Sequence, residues 1–374
     1  MNPPGRMPTL DRITPDELAA CAVFGHDRPV PSPAAPPARG TVLAQLARVM
    51  LPALARPPCL VSFSGGMDSS FVLAAAVHTA RDAGLPDPVP ITWRFTRAPA
   101  ADETARQDAV VAALRLKAHI VLDAGEDLDL IGPVATAFLA RFGLRMPSNL
   151  YVHLPLVAAA AGGSLLTGAG GDQVLLGHTP RPPSLRRRVM QVAAPSLLAP
   201  LIRRRNDRFP WLTAAASRRQ TARLLAERRH RPASGLRRMR YDATGRAVDI
   251  AVAAFDEMGA AHDAVVRHPF LDPAVQAALA GVLAGRPGLR RHELLTAASA
   301  GALPPVVTAL HPKAWFHEAF IRSATAGLIR RAPAPDLLPP GVDPAALQRF
   351  WEANPMSTRT APLIQHLQLQ QSRP

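Results

Sequence analysis

The sequence contains very little cysteine, since Cys21 and Cys59 are the only two among 374 residues. Two thiols form at most one bridge, so neither a disulfide framework nor a cysteine-based metal site is expected. No apolar run reaches the roughly 20 residues that a membrane-spanning helix needs, and the N-terminal residues lack the hydrophobic segment of a signal peptide. We therefore expect a cytoplasmic globular protein, and 48% hydrophobic residues suffice for a sizeable core.

Lysine is also nearly absent, because Lys117 and Lys313 are the only lysines among 43 basic residues. Arginine is concentrated instead. Residues 178–240 hold 17 Arg against two acids, an excess equal to the net charge of +15 of the whole chain. Aromatic residues make up 5% of the sequence and are not interleaved with these arginines, so a nucleic-acid partner is not favoured despite the charge.

Hydrophobic periodicity divides the chain into regions. Residues 1–40 hold nine Pro and predict an irregular leader around one short helix near residues 15–24. The apolar stretches CLVSFS, VPITWRF, AHIVLD and GSLLTG then alternate with helical patterns, which predicts a doubly wound α/β fold with a parallel sheet in residues 41–177. Beyond residue 177 strand signals almost vanish, so we expect a mostly helical part divided into an Arg-rich helical insertion, a helical remainder and a C-terminal tail: residues 178–240, 241–330 and 331–374.

The stretch SFSGGMDSS, residues 62–70, lies where the first predicted strand ends and a helix begins. Such a turn directs unpaired backbone N–H groups towards a bound anion. Asp68 adds a carboxylate that can hold a divalent cation among phosphate oxygens. The stretch lacks the lysine of a Walker loop and is not a GxGxxG dinucleotide motif. The backbone and hydroxyl groups predicted to bind phosphate are those of Ser62, Ser64, Gly65, Gly66 and Ser69.

Residues 64–69 resemble the signature of the PP-loop ATP pyrophosphatases, which split ATP to AMP and pyrophosphate. LLTGAGGDQVLLG, residues 165–177, resembles the second signature of the asparagine synthetase family. VRHPFLDPAV and LPPVVTALHPKAWF, residues 266–275 and 303–316, resemble a third and a fourth block of that family. With these blocks in order, the chain resembles the synthetase domain of asparagine synthetases, and is closest to the branch that forms lasso peptide macrolactams and β-lactams.

The resemblance implies that ATP adenylates a carboxylate and that an amine then attacks to form an amide. It implies ATP and Mg²⁺ as cofactors, with Asp68 and Asp172 holding the metal and Lys313 as the catalytic residue that stabilises charge on the tetrahedral carbon's oxygen. It also implies nucleotide contacts from the residue after the second strand and from the second signature, namely Arg94, Thr167, Gly168 and Gly170.

The sequence departs from the family at Ala169, where asparagine synthetases carry Glu and β-lactam synthetases carry Tyr. A methyl group cannot move a proton, so either another base, such as Glu227 or His268, serves, or the amine arrives neutral, or the step is weakened. Residue 2 is Asn2 and the first signature begins near residue 62, so we expect no glutaminase domain. The amine is then free ammonia, comes from a partner or belongs to the substrate.

These observations favour intramolecular amide closure of a peptide, as in a lasso-type macrolactam, or of a specialised metabolite. Two alternatives stay open: amidation with ammonia from a partner, as asparagine synthetases perform it, and tRNA modification by a PP-loop enzyme. The Arg-rich segment is either a solvated helical surface or a docking surface for an acidic leader peptide, a leader-binding protein or a protease. Trp211 either anchors such a partner or lies in the core.

Overall fold

The computed structural model describes residues 13–30, 40–175, 208–233, 235–312 and 314–372. Within these ranges five parallel strands form one sheet, and they are β1 (Cys59–Ser62), β2 (Val89–Arg94), β3 (Ile120–Asp123), β4 (Ser164–Leu166) and β5 (Val265–Arg267). Their order across the sheet is β3-β2-β1-β4-β5. The predicted doubly wound α/β class is therefore confirmed, and β1 lies at the centre of the sheet.

Helices make up most of the remaining described chain. The α-helices are α1 (Pro15–Ala20), α2 (Val42–Leu54), α3 (Met67–Asp82), α4 (Thr104–Ala113), α5 (Pro133–Phe142), α6 (Leu154–Ala159), α7 (Gly171–Leu175), α8 (Ala214–His230), α9 (Gly235–Ala243), α10 (Arg246–Ala261), α11 (Pro273–Gly285), α12 (Arg291–Ser299), α13 (Pro305–Thr308), α14 (His317–Phe320), α15 (Ser323–Ile329), α16 (Pro344–Ala353) and α17 (Ala361–Gln371). Short 3₁₀ turns lie at Pro99–Ala101, Glu126–Leu128, Ser148–His153, Pro269–Leu271, Pro335–Leu337 and Thr358–Thr360. None of the helices in the described ranges is long and apolar enough to cross a bilayer.

Strand β1 shows why the sheet is covered on both faces. Its first three residues, Cys59, Leu60 and Val61, are apolar and buried, and alternate side chains point to opposite sides. Leu60 packs in a core with residues of α5, α6 and α10, whereas Val61 packs in a second core with residues of α2, α3 and α11. Both side chains are at most 1% exposed. The first residue after the strand, Phe63, is also buried in the second core, so the chain leaves the core only at Ser64.

The structure shows two features that the sequence pattern did not indicate. Within residues 241–330, predicted to be mostly helical, Val265–Arg267 forms β5 and pairs in parallel with β4. This strand has three residues, too few to produce a readable periodicity. In the region predicted as the C-terminal tail, α16 and α17 pack their apolar side chains into the same core as β1 and α5. The short helix predicted in the leader is present as α1.

Trp211 belongs to the core and not to a surface anchor. Its side chain is 2% exposed, and its Nε1 donates a hydrogen bond to the carbonyl oxygen of Ala19 at 2.7 Å. The Arg359 guanidinium lies 5.1 Å from the Trp211 ring centroid. The described part of the Arg-rich segment forms α8 and α9, and residues 178–207 lie outside the described residues.

Candidate active site

The loop after β1 is held by its own hydroxyl groups. The Oγ atoms of Ser64 and Ser69 lie 3.0 Å apart, and the backbone N–H of Gly66 donates to Ser64 Oγ at 3.2 Å. Gly65 has φ +93°, a left-handed conformation that glycine adopts without strain. Helix α3 then begins with no side-chain cap at Gly66. The N-terminal end of this 16-residue helix therefore keeps its positive dipole directed at the mouth of the loop.

The loop after β4 packs directly against the first loop, because β1 and β4 are neighbours in the sheet. A Cβ placed on Gly171 would lie 1.9 Å from Asp68 Oδ2, and one placed on Gly168 would lie 3.0 Å from the backbone nitrogen of Ser69. Only glycine allows this approach. The carboxylates of Asp68 and Asp172 are thereby brought to one place, although 104 positions separate them in the sequence.

Both carboxylates contact the same arginine, Arg291, at the start of α12. Its Nε donates to Asp68 Oδ1 at 2.8 Å, its Nη2 contacts Asp68 Oδ2, and its Nη1 donates to Asp172 Oδ1 at 2.9 Å. The side chain of Asp172 is 58% exposed and that of Asp68 is 14% exposed. One guanidinium therefore spans the two carboxylates. Sequence reasoning missed Arg291, because nothing in GLRRHELL distinguishes it from the many other arginines.

The two loops open into a cavity of about 980 Å³. Most of the predicted nucleotide-binding residues line it: Ser62, Ser64, Gly66, Asp68, Ser69, Thr167, Gly168 and Gly170. Gly65 and Arg94 do not line the cavity. Arg94 forms an ion pair with Asp108, so its nucleotide contact stays a prediction. Asp102 accepts a hydrogen bond from the Thr104 hydroxyl at 2.6 Å, and this bond is the main cause that lowers the pKa of Asp102.

The predicted catalytic residue, Lys313, lies outside the described residues. Its sequence neighbours on both sides, Pro312 and Ala314, line the cavity, as do His311 and Phe316. The fourth sequence block therefore forms part of the same cavity wall as the two glycine-rich loops. The catalytic role of Lys313 stays a prediction.

A comparison with protein-family models identifies the family of the chain. The model described as asparagine synthase matches residues 47–371, most of the chain. The chain belongs to the asparagine synthase family. The match supports an ATP-dependent ligase that forms amides, and members of the family use ATP. Phosphate binding by the first loop stays a prediction. No curated protein sequence gives a significant match to the chain.

The asparagine synthase signature is altered at Ala169, whose backbone N–H donates a hydrogen bond to Thr167 Oγ1 at 3.2 Å. The neighbouring Thr167 Oγ1 lies 2.7 Å from His268 Nδ1, which joins the loops after β4 and β5. The Phe255 ring centroid lies 4.8 Å from the centroids of both His268 and His153. Desolvation is the main cause that lowers the pKa of each histidine to about 4. Both rings are therefore neutral at pH 7.

The two residues considered as replacement bases are placed differently. Glu227 lies on α8 and is not among the cavity-lining residues. His268 lines the cavity, and its Nε2 has no hydrogen-bond partner among the described residues. With a pKa of about 4 its imidazole is a weak proton acceptor at neutral pH. Position alone thus favours His268 over Glu227, and its role as a base stays a prediction.

Glu103 is a cavity residue that sequence reasoning did not select. It is 8% exposed and lies beside the first loop. A Cβ placed on Gly65 would lie 3.1 Å from the Cβ of Glu103. Its Oε1 lies 3.5 Å from His311 Nε2. Burial raises the pKa of Glu103 to about 7. This carboxyl can therefore gain or lose a proton near neutral pH, as a general acid or base must.

Proposed function

We propose that the protein activates a substrate carboxylate with ATP and joins it to an amine of the same molecule, closing a peptide or a related metabolite into a lactam. In the first step a carboxylate oxygen attacks the α-phosphorus of ATP and the bond to pyrophosphate breaks. In the second step the amine nitrogen attacks the acyl carbon, AMP leaves, and the proton lost by the nitrogen passes to a base or to solvent.

The observation that carries the proposal is the distribution of charge around the cavity. Charged side chains cluster at the glycine-rich loops, with Asp68, Asp172 and Arg291 in contact. In contrast, the wall formed by described residues 146–156 and 247–255 is mostly apolar. Its lining residues are Met146, Pro147, Asn149, Leu150, Val152, His153, Leu156, Ala247, Val248, Ala251, Val252 and Phe255.

This wall suits an acyl group with apolar neighbours better than it suits free aspartate. Besides its reacting carboxylate, free aspartate carries an α-ammonium and an α-carboxylate, and burying such groups without partners costs several kcal/mol. Described residues of this wall offer no carboxylate and no permanent cation, because His153 is neutral at pH 7. In a peptide the same two positions are neutral amides. The cavity volume of about 980 Å³ is at the upper end of the usual range for ligand pockets, consistent with a nucleotide plus an acyl chain.

The two carboxylates fit a divalent cation. Asp68 and Asp172 supply hard oxygen donors at one place, and Mg²⁺ in nucleotide enzymes is commonly held by one or two carboxylates plus phosphate oxygens. No cluster of three or more potential metal ligands occurs among the described residues, so a cation held by protein groups alone is not supported. When bound, Mg²⁺ would neutralise charge on the leaving pyrophosphate. We further propose that Lys313 stabilises the oxyanion of the second step.

The test is ATP–pyrophosphate exchange together with identification of the nucleotide product. Peptides with an internal Asp or Glu and a free N-terminus, free aspartate and free glutamate are offered separately. We expect exchange and AMP with peptides alone, and a mass loss of one water in the peptide product. The variant Asp68→Asn should abolish exchange, whereas Asp87→Asn, which changes an exposed carboxylate paired with Arg81, should not.

Other outcomes identify the alternatives. Exchange with free aspartate would instead support amidation with ammonia from a partner. Salt-resistant binding of tRNA together with ATP consumption that depends on it would support a tRNA-modifying enzyme. Formation of ADP in place of AMP would contradict the proposed adenylation.

We also propose that α8 contributes to a docking surface for an acidic peptide or protein. Arg218, Arg223 and Arg229 are exposed on this helix and have no ion-pair partner among the described residues. Exposed arginines along one helix attract an acidic partner electrostatically and accelerate association. A glutamate-rich peptide should bind the wild type in fluorescence anisotropy and lose affinity when these three arginines become glutamate, and equal binding by both proteins would contradict the proposal.

A further inference from the structure

Arg291 forms the contacts that a divalent cation would otherwise make in the proposed site. Two N–H donor groups of Arg291 contact Asp68 and one contacts Asp172. A guanidinium is planar and presents several N–H donors in a fixed fork, so it can hold two carboxylates at once. The oxygens that it contacts belong to the same two carboxylates that the proposed function assigns to Mg²⁺. A cation and this guanidinium therefore compete for one pair of ligands.

The backbone of Arg291 is fixed, so competition depends on its side chain. Helix α12 begins at this residue, and Leu294 and Leu295 anchor the helix in the core at 1% and 0% exposure. The Arg291 side chain is 25% exposed, which leaves it room to change rotamer. Arg290, the preceding residue, is held differently: its side chain is 62% exposed and pairs with Glu293 at 2.8 Å.

We propose that Arg291 is a positioning residue that replaces the divalent cation in the nucleotide-free protein and releases Asp68 and Asp172 when a metal–nucleotide complex binds. The inference rests on the proposed function, since it takes the two aspartates as metal ligands. Two adjacent carboxylates repel each other, and the guanidinium holds them together before the substrate arrives. Because the same contacts oppose binding of free cation, metal entry is coupled to nucleotide entry, whose phosphates offer the guanidinium a new anionic partner.

This coupling predicts effects of opposite sign for one substitution. In Arg291→Gln, free Mn²⁺, a spectroscopic substitute for Mg²⁺, should bind the nucleotide-free protein about tenfold more tightly than it binds the wild type, within the usual range of coupling between sites. The same variant should bind ATP with Mn²⁺ about tenfold more weakly, because the guanidinium no longer contacts the phosphates. If Arg291 were needed only for folding, its substitution would weaken both the binding of free Mn²⁺ and the binding of ATP with Mn²⁺.

Mn²⁺ binding is measured by electron paramagnetic resonance on the full chain, with and without a non-hydrolysable ATP analogue. Arg290→Gln is the matched control, because it removes the same charge one residue away. Its Mn²⁺ affinity should stay within about twofold of wild type, since the Arg290 side chain is 62% exposed and its charge is already paired with Glu293. Circular dichroism establishes that each variant is folded. Arg291→Lys keeps the positive charge but loses the forked geometry of the guanidinium, so its affinity for free Mn²⁺ should lie between those of the wild type and Arg291→Gln.

Equal affinity of wild type and Arg291→Gln for free Mn²⁺ would overturn the inference, and so would an equal gain in both glutamine variants, which would mean only a general charge effect. The proposed function is tested separately by ATP–pyrophosphate exchange of the wild type. Exchange without any effect of Arg291→Gln on Mn²⁺ binding would refute the coupling alone. Absence of Mn²⁺ binding in every state of the wild type would refute the metal site itself and the inference with it.

Discussion

The substitution Gly171→Ala tests the contact between the two glycine-rich loops. An alanine Cβ would lie 1.9 Å from Asp68 Oδ2 and 2.4 Å from Asp68 Cγ. Real Cβ atoms essentially never approach another atom within 3.0 Å, so the carboxylate must move by about 1 Å. That shift removes the alignment of Asp68 with Asp172. A displacement of about 1 Å in an active site costs on the order of 100-fold in rate, so we expect about this loss in ATP–pyrophosphate exchange.

The fold should tolerate this substitution, which separates the site from overall stability. Gly171 is the first residue of α7 and does not have the left-handed backbone that would strain an alanine. We expect the free energy of unfolding, measured with urea, to change by about 1 kcal/mol. Gly281→Ala is the control: it lies inside α11 with nothing within 4 Å of an added Cβ, and should stabilise the helix by about 0.5–1 kcal/mol without affecting exchange. Full exchange activity in Gly171→Ala would refute the assignment of Asp68 to the reaction.

Three further predictions concern buried polar groups. Asp129 accepts hydrogen bonds from the backbone N–H groups of Arg322 and Thr325, so Asp129→Ala leaves buried donors unpaired and should lower the free energy of unfolding by about 3 kcal/mol in urea titrations. The lowered pKa of His153 means that its contribution to stability is present above pH 6.5 and is lost as pH falls towards about 4; His153→Leu should make Tm less sensitive to pH over this range. The raised pKa of Glu103 has the opposite sign, so wild-type Tm should fall relative to Glu103→Gln as pH rises from 4.5 to about 7, and parallel Tm curves would contradict the shift.

The sheet was predictable because its central strands are short, continuous apolar runs. Cys59–Val61 and Ser164–Leu166 are buried on both faces, and such runs alternating with helices imply parallel strands. The edge strand β5 was not predictable. It has three residues, Val265–Arg267, and its pairing with β4 depends on contacts that the sequence does not encode locally. The same reason explains the C-terminal helices, whose burial follows from packing against α5 and β1.

The acidic part of the site was predictable and the basic part was not. Asp68 and Asp172 lie in glycine-rich stretches directly after strands, a local pattern with a physical meaning. Arg291 begins a helix more than a hundred residues later, among arginines of which most are exposed. Only the tertiary structure shows that its guanidinium reaches both carboxylates. Glu103 was missed for a similar reason, because the raised pKa comes from burial beside the first loop.

The position of the site follows from the order of the strands. From β1 the chain proceeds through β2 and β3 to one edge, and then returns to form β4 and β5 on the other side of β1. The connections therefore diverge between β1 and β4, and a crevice opens at the carboxyl ends of these two strands. Asp68 follows one of them and Asp172 the other, so each carboxylate belongs to a different half of the sheet. The Arg291 guanidinium on α12 contacts both carboxylates and therefore joins the two halves of the sheet.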